Sequence, residues 1–323
     1  MINIDINTSI SDLTKLLKNH NILFENEVLS CISKAGEGNM NVVLRVRSNK
    51  RSFIFKQSRP FVQKFRDIQA PIERVDVEFN FYKAVNQNNN KSFYPKIISY
   101  VKENFFMILE DLGEFDDYTS IYRNRSINEE TIIRLTRMLK DIHSTKTNLN
   151  YPLNIDLKKL NYQHIFVLPF IKQNGFSLDS VHKGLNQLAI PLIDNKALQN
   201  KSLLIGKRYL TKGKTLLHGD FYPGSWIKSQ NKIFIIDPEF SFLGDLEFDL
   251  GVFIAHIIMA TQKQNYLKII IDYYSKSVDE KLVADYACIE IIRRLIGLAQ
   301  LPINLTLDEK EKLLKFANNL LLK

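Results

Sequence analysis

Apolar residues recur along the chain with two periods, and the change from one to the other divides it. Leu13, Leu16 and Leu17 fall on one face of a helix predicted over 9–19, with Ser9 placed to cap it. After Cys31 the period shortens to two: Val42, Leu44 and Val46 alternate with other residues, and Ser52-Phe53-Ile54-Phe55-Lys56-Gln57 repeats the pattern. A helix over 72–86, an exposed Asn-rich loop over 86–91 and a buried strand over Phe105-Phe106-Met107-Ile108-Leu109-Glu110 follow. Beyond Asp111-Leu112-Gly113 the helical period returns, with Ile132, Leu135, Leu139 and Ile142 on one face. Further helices are expected near 176–190 and 192–208, then at 250–262, 265–277, 280–299 and 307–322, with two short strands around 214–236 between the two groups. The last helix opens on Thr306-Leu307-Asp308-Glu309, a capping-box pattern. There is no internal repeat. The expected product is an α+β chain with a β-rich N-terminal lobe over 1–111 and a larger, mainly helical lobe over 112–323.

Composition narrows the class without deciding it. The 323 residues suffice for two lobes, and 45% hydrophobic with 24% charged residues is ordinary globular usage. Two cysteines without a C-x-x-C pair indicate neither a disulfide framework nor a cysteine-rich zinc site. The opening residues lack the basic and apolar regions of a signal peptide, and the longest nearly apolar run, Leu250 to Ala260, is far too short to span a bilayer. A cytoplasmic protein without a membrane partner is expected. The 44 Lys and Arg against 35 Asp and Glu leave a formal charge of +9, which favours anionic ligands, but the charges are scattered and no nucleic-acid footprint is read from them.

The chemistry concentrates in two places. Leu216-Leu217-His218-Gly219-Asp220 is an apolar lead-in ending on a turn that carries one carboxylate, and Ile233-Phe234-Ile235-Ile236-Asp237-Pro238-Glu239 is a short strand ending on two more. Such a set suits phosphoryl transfer: Asp220 as the base for a substrate hydroxyl, with Asp237 and Glu239 turned towards one Mg²⁺ beside the phosphates of ATP. Upstream, Gly36-Glu37-Gly38-Asn39-Met40-Asn41 precedes a strand and can bring backbone N–H groups close to phosphate. Lys56 ends the second following strand, where it could contact the α- and β-phosphates, and Glu78 on the next helix could pair with it. Each is commonplace alone; their order is what points to a nucleotide site, placed by this reading in the cleft between lobes. His218 lacks any H-E-x-x-H context and is read as shaping the turn, and Gly224-Ser225-Trp226 does not make a hydrolase elbow.

These residues carry a resemblance. His218-Gly219-Asp220 followed by Asp237 is similar to the aminoglycoside phosphotransferase and choline kinase-like superfamily, which has a bilobal protein-kinase-like fold. Within it, Gly36 to Asn41, His218 to Ser225, Asp237-Pro238-Glu239-Phe240 with Phe248-Asp249-Leu250-Gly251, and Ile292-Arg293-Arg294-Leu295-Ile296-Gly297-Leu298-Ala299 resemble the methylthioribose kinases. The resemblance implies an ATP- and Mg²⁺-dependent kinase for a small hydroxylated acceptor, with Asp220 as base and Asp237 and Glu239 as metal ligands. It also implies Gly36, Gly38, Asn39, Asn41, Lys56 and Glu78 at the nucleotide, Glu110 to Leu112 as the hinge holding adenine, and Arg293 and Arg294 on the sugar. Asp249 would buttress the turn. The chain departs from the pattern in having Tyr222 where His is common, in its short length, and in lacking a Trp in residues 59–73, its single Trp being Trp226. The alternatives are an aminoglycoside, choline, homoserine or other sugar phosphotransferase, and a catalytically silent nucleotide-binding regulator. The oligomeric state stays open, a homodimer included.

Overall fold

A computed structural model describes residues 2–36, 40–88, 93–147, 150–172, 174–275 and 277–323. Contacts divide the chain into two units. One comprises Met1–Asp116, Thr147–Leu157 and Lys228–Phe240; the other comprises Asp117–Lys146, Lys158–Ile227 and Ser241–Lys323.

The first unit is built on one antiparallel sheet. Helix α1 (Ile10–Asn19) precedes strands β1 (Leu29–Lys34), β2 (Val42–Ser48) and β3 (Ser52–Gln57), and helix α2 (Arg74–Asn88) precedes β4 (Ile97–Val101) and β5 (Phe106–Glu110). The strand order is β1-β2-β3-β5-β4. Because successive side chains of a strand point to opposite faces, Phe53 and Phe55 of β3 go to one side, where they join Leu13, Leu16 and Leu17 of α1 in a common core. Phe55 stacks on Phe106 at 4.9 Å. Each fully buried Leu or Phe contributes roughly 1.5–3 kcal/mol, so α1 is held chiefly by this face. Lys56 alternates to the other side of β3, opposite Val43 and Met107 of its neighbouring strands. Residues 86–88, expected in a loop, continue α2, and 89–91 lie outside the described residues. Phe61–Val62 and Phe65–Gln69 pair as a small hairpin within residues 59–73, the segment that lacks a Trp.

The second unit is mainly helical. Helix α3 (Glu129–His143) buries Ile132, Leu135, Leu139 and Ile142, the face predicted from their spacing. Strand β6 (Thr215–Leu217) pairs with β7 (Phe242–Gly244), and α4 (Leu246–Thr261), α5 (Glu280–Ile296) and α6 (Leu307–Leu321) follow. The Thr306–Glu309 capping box forms in both directions at the start of α6. The expected helix over 176–190 is interrupted: Gly184 takes φ 89° and a helix starts only at Leu185, while Asp179 Oδ1 accepts hydrogen bonds from the N–H groups of Gly184 and Asn186. A local carboxylate-to-backbone turn thus displaces helical hydrogen bonding there.

Helix α4 is apolar all round and buried from Phe248 to Ala260, the pattern of a central helix. It packs tightly on α5 at Gly251, where an added Cβ would lie 2.6 Å from Tyr286 Cβ, 2.9 Å from Ala287 N and 2.9 Å from Val283 O. Two of those atoms are backbone, so no rotamer change relieves the clash. Gly251→Ala is therefore expected to lower stability by roughly 1–3 kcal/mol, read as a reduced urea midpoint at unchanged m-value.

Candidate active site

In the first unit, four charged side chains meet around Lys56. The Lys56 ammonium donates to Glu78 Oε1 at 2.8 Å and to Asp237 Oδ1 at 2.6 Å. One helical turn before Glu78, on the same face of α2, Arg74 Nε donates to Glu239 Oε2 at 3.1 Å, and Asn41 Nδ2 donates to the same oxygen at 2.7 Å. Ser58 Oγ in turn donates to Asn41 Oδ1 at 3.1 Å. Strand Lys232–Ile235 delivers Asp237, whose φ of 60° is a left-handed conformation that Asp tolerates better than most residues. Its N–H donates to Tyr82 Oη at 3.2 Å.

With every group ionised, three carboxylates (Glu78, Asp237, Glu239) face two cations (Lys56, Arg74), a formal excess of one negative charge. Burial pushes the Glu78 carboxyl up to about 7 against the pull of Lys56, with Asp237 and Glu239 adding to the rise. Burial alone would lower Lys56, but Asp237, Glu78 and Glu239 outweigh it and hold the ammonium above its usual range. Asp237 is the exposed member, its side chain 49% accessible against 1% for Glu78. The group presents one open carboxylate backed by a fixed, buried ion pair.

The other nucleotide residues named from sequence are placed differently. Gly36 follows β1, with no atom within 4 Å of where a side chain would begin, and Gly38 and Asn39 lie outside the described residues. Glu110 ends β5, and its carboxylate accepts from Lys96 N–H at 3.1 Å and takes no part in the Lys56 group. The Leu112 carbonyl accepts from Ser229 Oγ at 2.5 Å.

In the second unit, β6 leads into His218-Gly219-Asp220, and Gly219 makes the turn with φ 85°, where a side chain would be strained. Asp249, fully buried in the first turn of α4, clamps that turn: Oδ2 accepts from His218 N–H at 2.6 Å and Oδ1 from Gly219 N–H at 2.9 Å. His143 Nε2 lies 3.2 Å from Oδ2, and its Nδ1 lies 2.8 Å from Tyr274 Oη. Asp249→Ala would remove the carboxylate that accepts from two buried N–H groups. Unfolding in denaturant should show a loss of roughly 3–5 kcal/mol.

Asp220 projects from this turn, 22% accessible, and Ser225 Oγ donates to its carbonyl at 3.0 Å. Arg294 Nη2 donates to Asp220 Oδ1 at 3.2 Å, and Arg293 Nη2 stands 3.7 Å from the same oxygen. Both arginines are buried, so they do not occupy a solvent face of α5. Arg294 lies over the Tyr222 ring at 5.2 Å, and Glu290 binds both guanidiniums from one helical turn before. Glu290 was not singled out from sequence, although its i, i+3 and i+4 spacing to the arginines was a readable signal. Arg74 carried the same signal with respect to Glu78.

Residues 32–290 match the phosphotransferase enzyme family, APH. The chain belongs to that family. Phosphotransferase relatives include the methylthioribose kinase of Exiguobacterium sibiricum, 27% identical over 70% of this chain and 60% of that protein. That of Bacillus cereus strain B4264 is 25% identical over 78% of this chain and 66% of that protein. The matched region thus spans less than two thirds of the length of these curated relatives. Among solved structures, the spectinomycin phosphotransferase APH(9)-Ia in complex with ADP and spectinomycin aligns with TM-score 0.56, 15% identity and 98% of both chains. The Plasmodium vivax ethanolamine kinase aligns with TM-score 0.56 and 15% identity over 98% of this chain and 95% of that one. These likenesses establish the fold: the chain adopts the protein-kinase-like α+β architecture that the resemblance of its motifs implied. No helix among the described residues is long and apolar enough to cross a membrane.

Proposed function

We propose that this phosphotransferase is an ATP- and Mg²⁺-dependent small-molecule kinase whose acceptor is the hydroxyl of a sugar, 5-methylthioribose being the first candidate. The observation that carries the reading is the pairing of Asp220 with Arg293 and Arg294 in a chain whose curated relatives are methylthioribose kinases. A cytoplasmic enzyme whose N-terminal lobe binds nucleotide is part of the same reading.

Lys56, held by Glu78, contacts the α- and β-phosphates of ATP, as its fixed position on β3 suits. Asp237 and Glu239 supply hard oxygen donors, and the excess negative charge of their group fits a divalent cation. Mg²⁺ takes one or two carboxylates and completes its shell with phosphate and water, which the pair Asp237 and Glu239 suits. When bound, Mg²⁺ neutralises charge on the phosphate oxygens. Asp220 orients the acceptor hydroxyl and takes its proton as the oxygen–phosphorus bond forms and ADP departs. Arg293 and Arg294 present guanidinium donors to the acceptor's oxygens, which favours a neutral or anionic acceptor over a cation.

The test is ADP release with Mg·ATP across 5-methylthioribose, related pentoses, choline, homoserine and several aminoglycosides. Turnover confined to methylthioribose is expected. Turnover only on a cationic acceptor would overturn the arginine reading, and nucleotide binding without turnover on any acceptor would favour a silent regulator.

A further inference from the structure

Behind the arginine pair lies a buried polar chain that the reaction itself does not use. Glu290 Oε1 accepts from Arg294 Nε at 2.7 Å and from Arg293 Nη2 at 3.0 Å, while Oε2 accepts from Arg293 Nε. The same Oε1 faces His256 Nε2 at 3.0 Å, and His256 Nδ1 lies 2.6 Å from Tyr122 Oη. Glu290 is 1% exposed, and His256 and Tyr122 are fully buried. A carboxylate so deeply buried costs several kcal/mol to desolvate, and apolar residues of the same volume are often at least as stabilising. Its presence is explained by what it holds.

Arg293 and Arg294 are adjacent, like-charged and flexible. Left to themselves they would repel each other and sample many rotamers beside Asp220. Glu290 pins a Nε of each and turns their Nη2 groups towards Asp220 Oδ1. As an ionised carboxylate it offers only acceptors, so His256 must donate from Nε2, which leaves Nδ1 to accept from the Tyr122 hydroxyl. Burial holds His256 below the usual imidazole range against the opposing pull of Glu290, in keeping with a neutral ring.

We infer that Glu290, oriented by His256 and Tyr122, is a positioning residue for the acceptor end of the site, setting where the Arg293 and Arg294 guanidiniums stand relative to Asp220. The inference rests on the kinase reading above for its consequence and on the geometry of one unit for its substance.

The experiment uses the full chain with three variants. His256→Leu removes the donor to Glu290 while filling similar volume, His256→Gln can restore an N–H at that end, and Tyr122→Phe removes a single oxygen. Catalysis is read as separate kcat and KM values for acceptor and for ATP; position is read as the slowly exchanging Nε–H NMR signals of Arg293 and Arg294. His256→Leu is expected to lower acceptor kcat/KM about tenfold, as for loss of one hydrogen bond to a charged group, with the KM for ATP unchanged and the Arg294 signal broadened. His256→Gln should recover most of both. A folded His256→Leu with wild-type arginine signals and acceptor kinetics would overturn the inference, as would parallel losses for ATP and acceptor, which mark general loosening. If His256→Leu does not fold, Tyr122→Phe must show part of the same pattern or the inference falls. Should the wild-type protein phosphorylate no acceptor, the kinase reading fails, while the NMR signals still decide the positioning.

Discussion

Asp220→Ala is expected to lower turnover on the acceptor by about 10²–10⁴-fold while leaving the fold and nucleotide affinity intact. The turn that carries Asp220 does not depend on its carboxylate: Gly219 supplies the left-handed backbone, Asp249 holds the N–H groups of His218 and Gly219, and Ser225 binds the Asp220 carbonyl, which the substitution keeps. Arg294 loses one partner but retains Glu290 and the face of Tyr222. The loss should therefore fall on kcat, since the proposed mechanism uses the carboxylate when the hydroxyl becomes a nucleophile. Asp220→Asn keeps the shape and removes the proton acceptor, so it should be nearly as impaired as the alanine variant. Steady-state kinetics beside a nucleotide titration and far-UV circular dichroism check this. A folded variant with wild-type turnover would remove Asp220 from the chemistry.

Asp237→Asn should be similarly severe by a different route. Asn tolerates the φ of 60° at this position, and the backbone N–H to Tyr82 Oη is unaffected, so the strand end should keep its course. What disappears is the exposed negative charge of the group around Lys56. With Asp237 neutral, Glu78 and Glu239 balance Lys56 and Arg74, and the excess charge that favours a divalent cation is gone. Losing a metal contact worth several kcal/mol corresponds to a rate loss on the order of 10³-fold. Raising the Mg²⁺ concentration should recover part of it, which distinguishes weakened metal binding from misfolding. Wild-type Mg²⁺ dependence in a folded Asp237→Asn would contradict the assignment.

Much of the architecture was legible because it rests on periodicity. The spacing of Ile132, Leu135, Leu139 and Ile142 identified the buried face of α3, the alternation around Val42 to Val46 and Phe53 to Phe55 identified the sheet, and Thr306 with Glu309 announced α6. Where periodicity misleads, local hydrogen bonding or short length outweighs the pattern. Asp179 and Gly184 break the helix expected over 176–190, and Ile155–Tyr162 is only a short helix running into a π-helical turn at Gln163–Val167. In the site, the acids at turns stood out because carboxylates after apolar strands are conspicuous. Glu290, His256 and Tyr122 did not, because a Glu or His inside an apolar helix reads as incidental until its partners, distant in sequence, are placed beside it.

The central claim is transfer of the γ-phosphoryl group of ATP to a small hydroxylated acceptor. It is tested most directly by ³¹P NMR of wild-type protein incubated with Mg·ATP and 5-methylthioribose, beside the Asp220→Ala variant. The account predicts a new phosphomonoester resonance that grows as ADP appears, in wild type alone. ADP appearing with inorganic phosphate as its only companion, or a phosphomonoester formed equally by the variant, would contradict it.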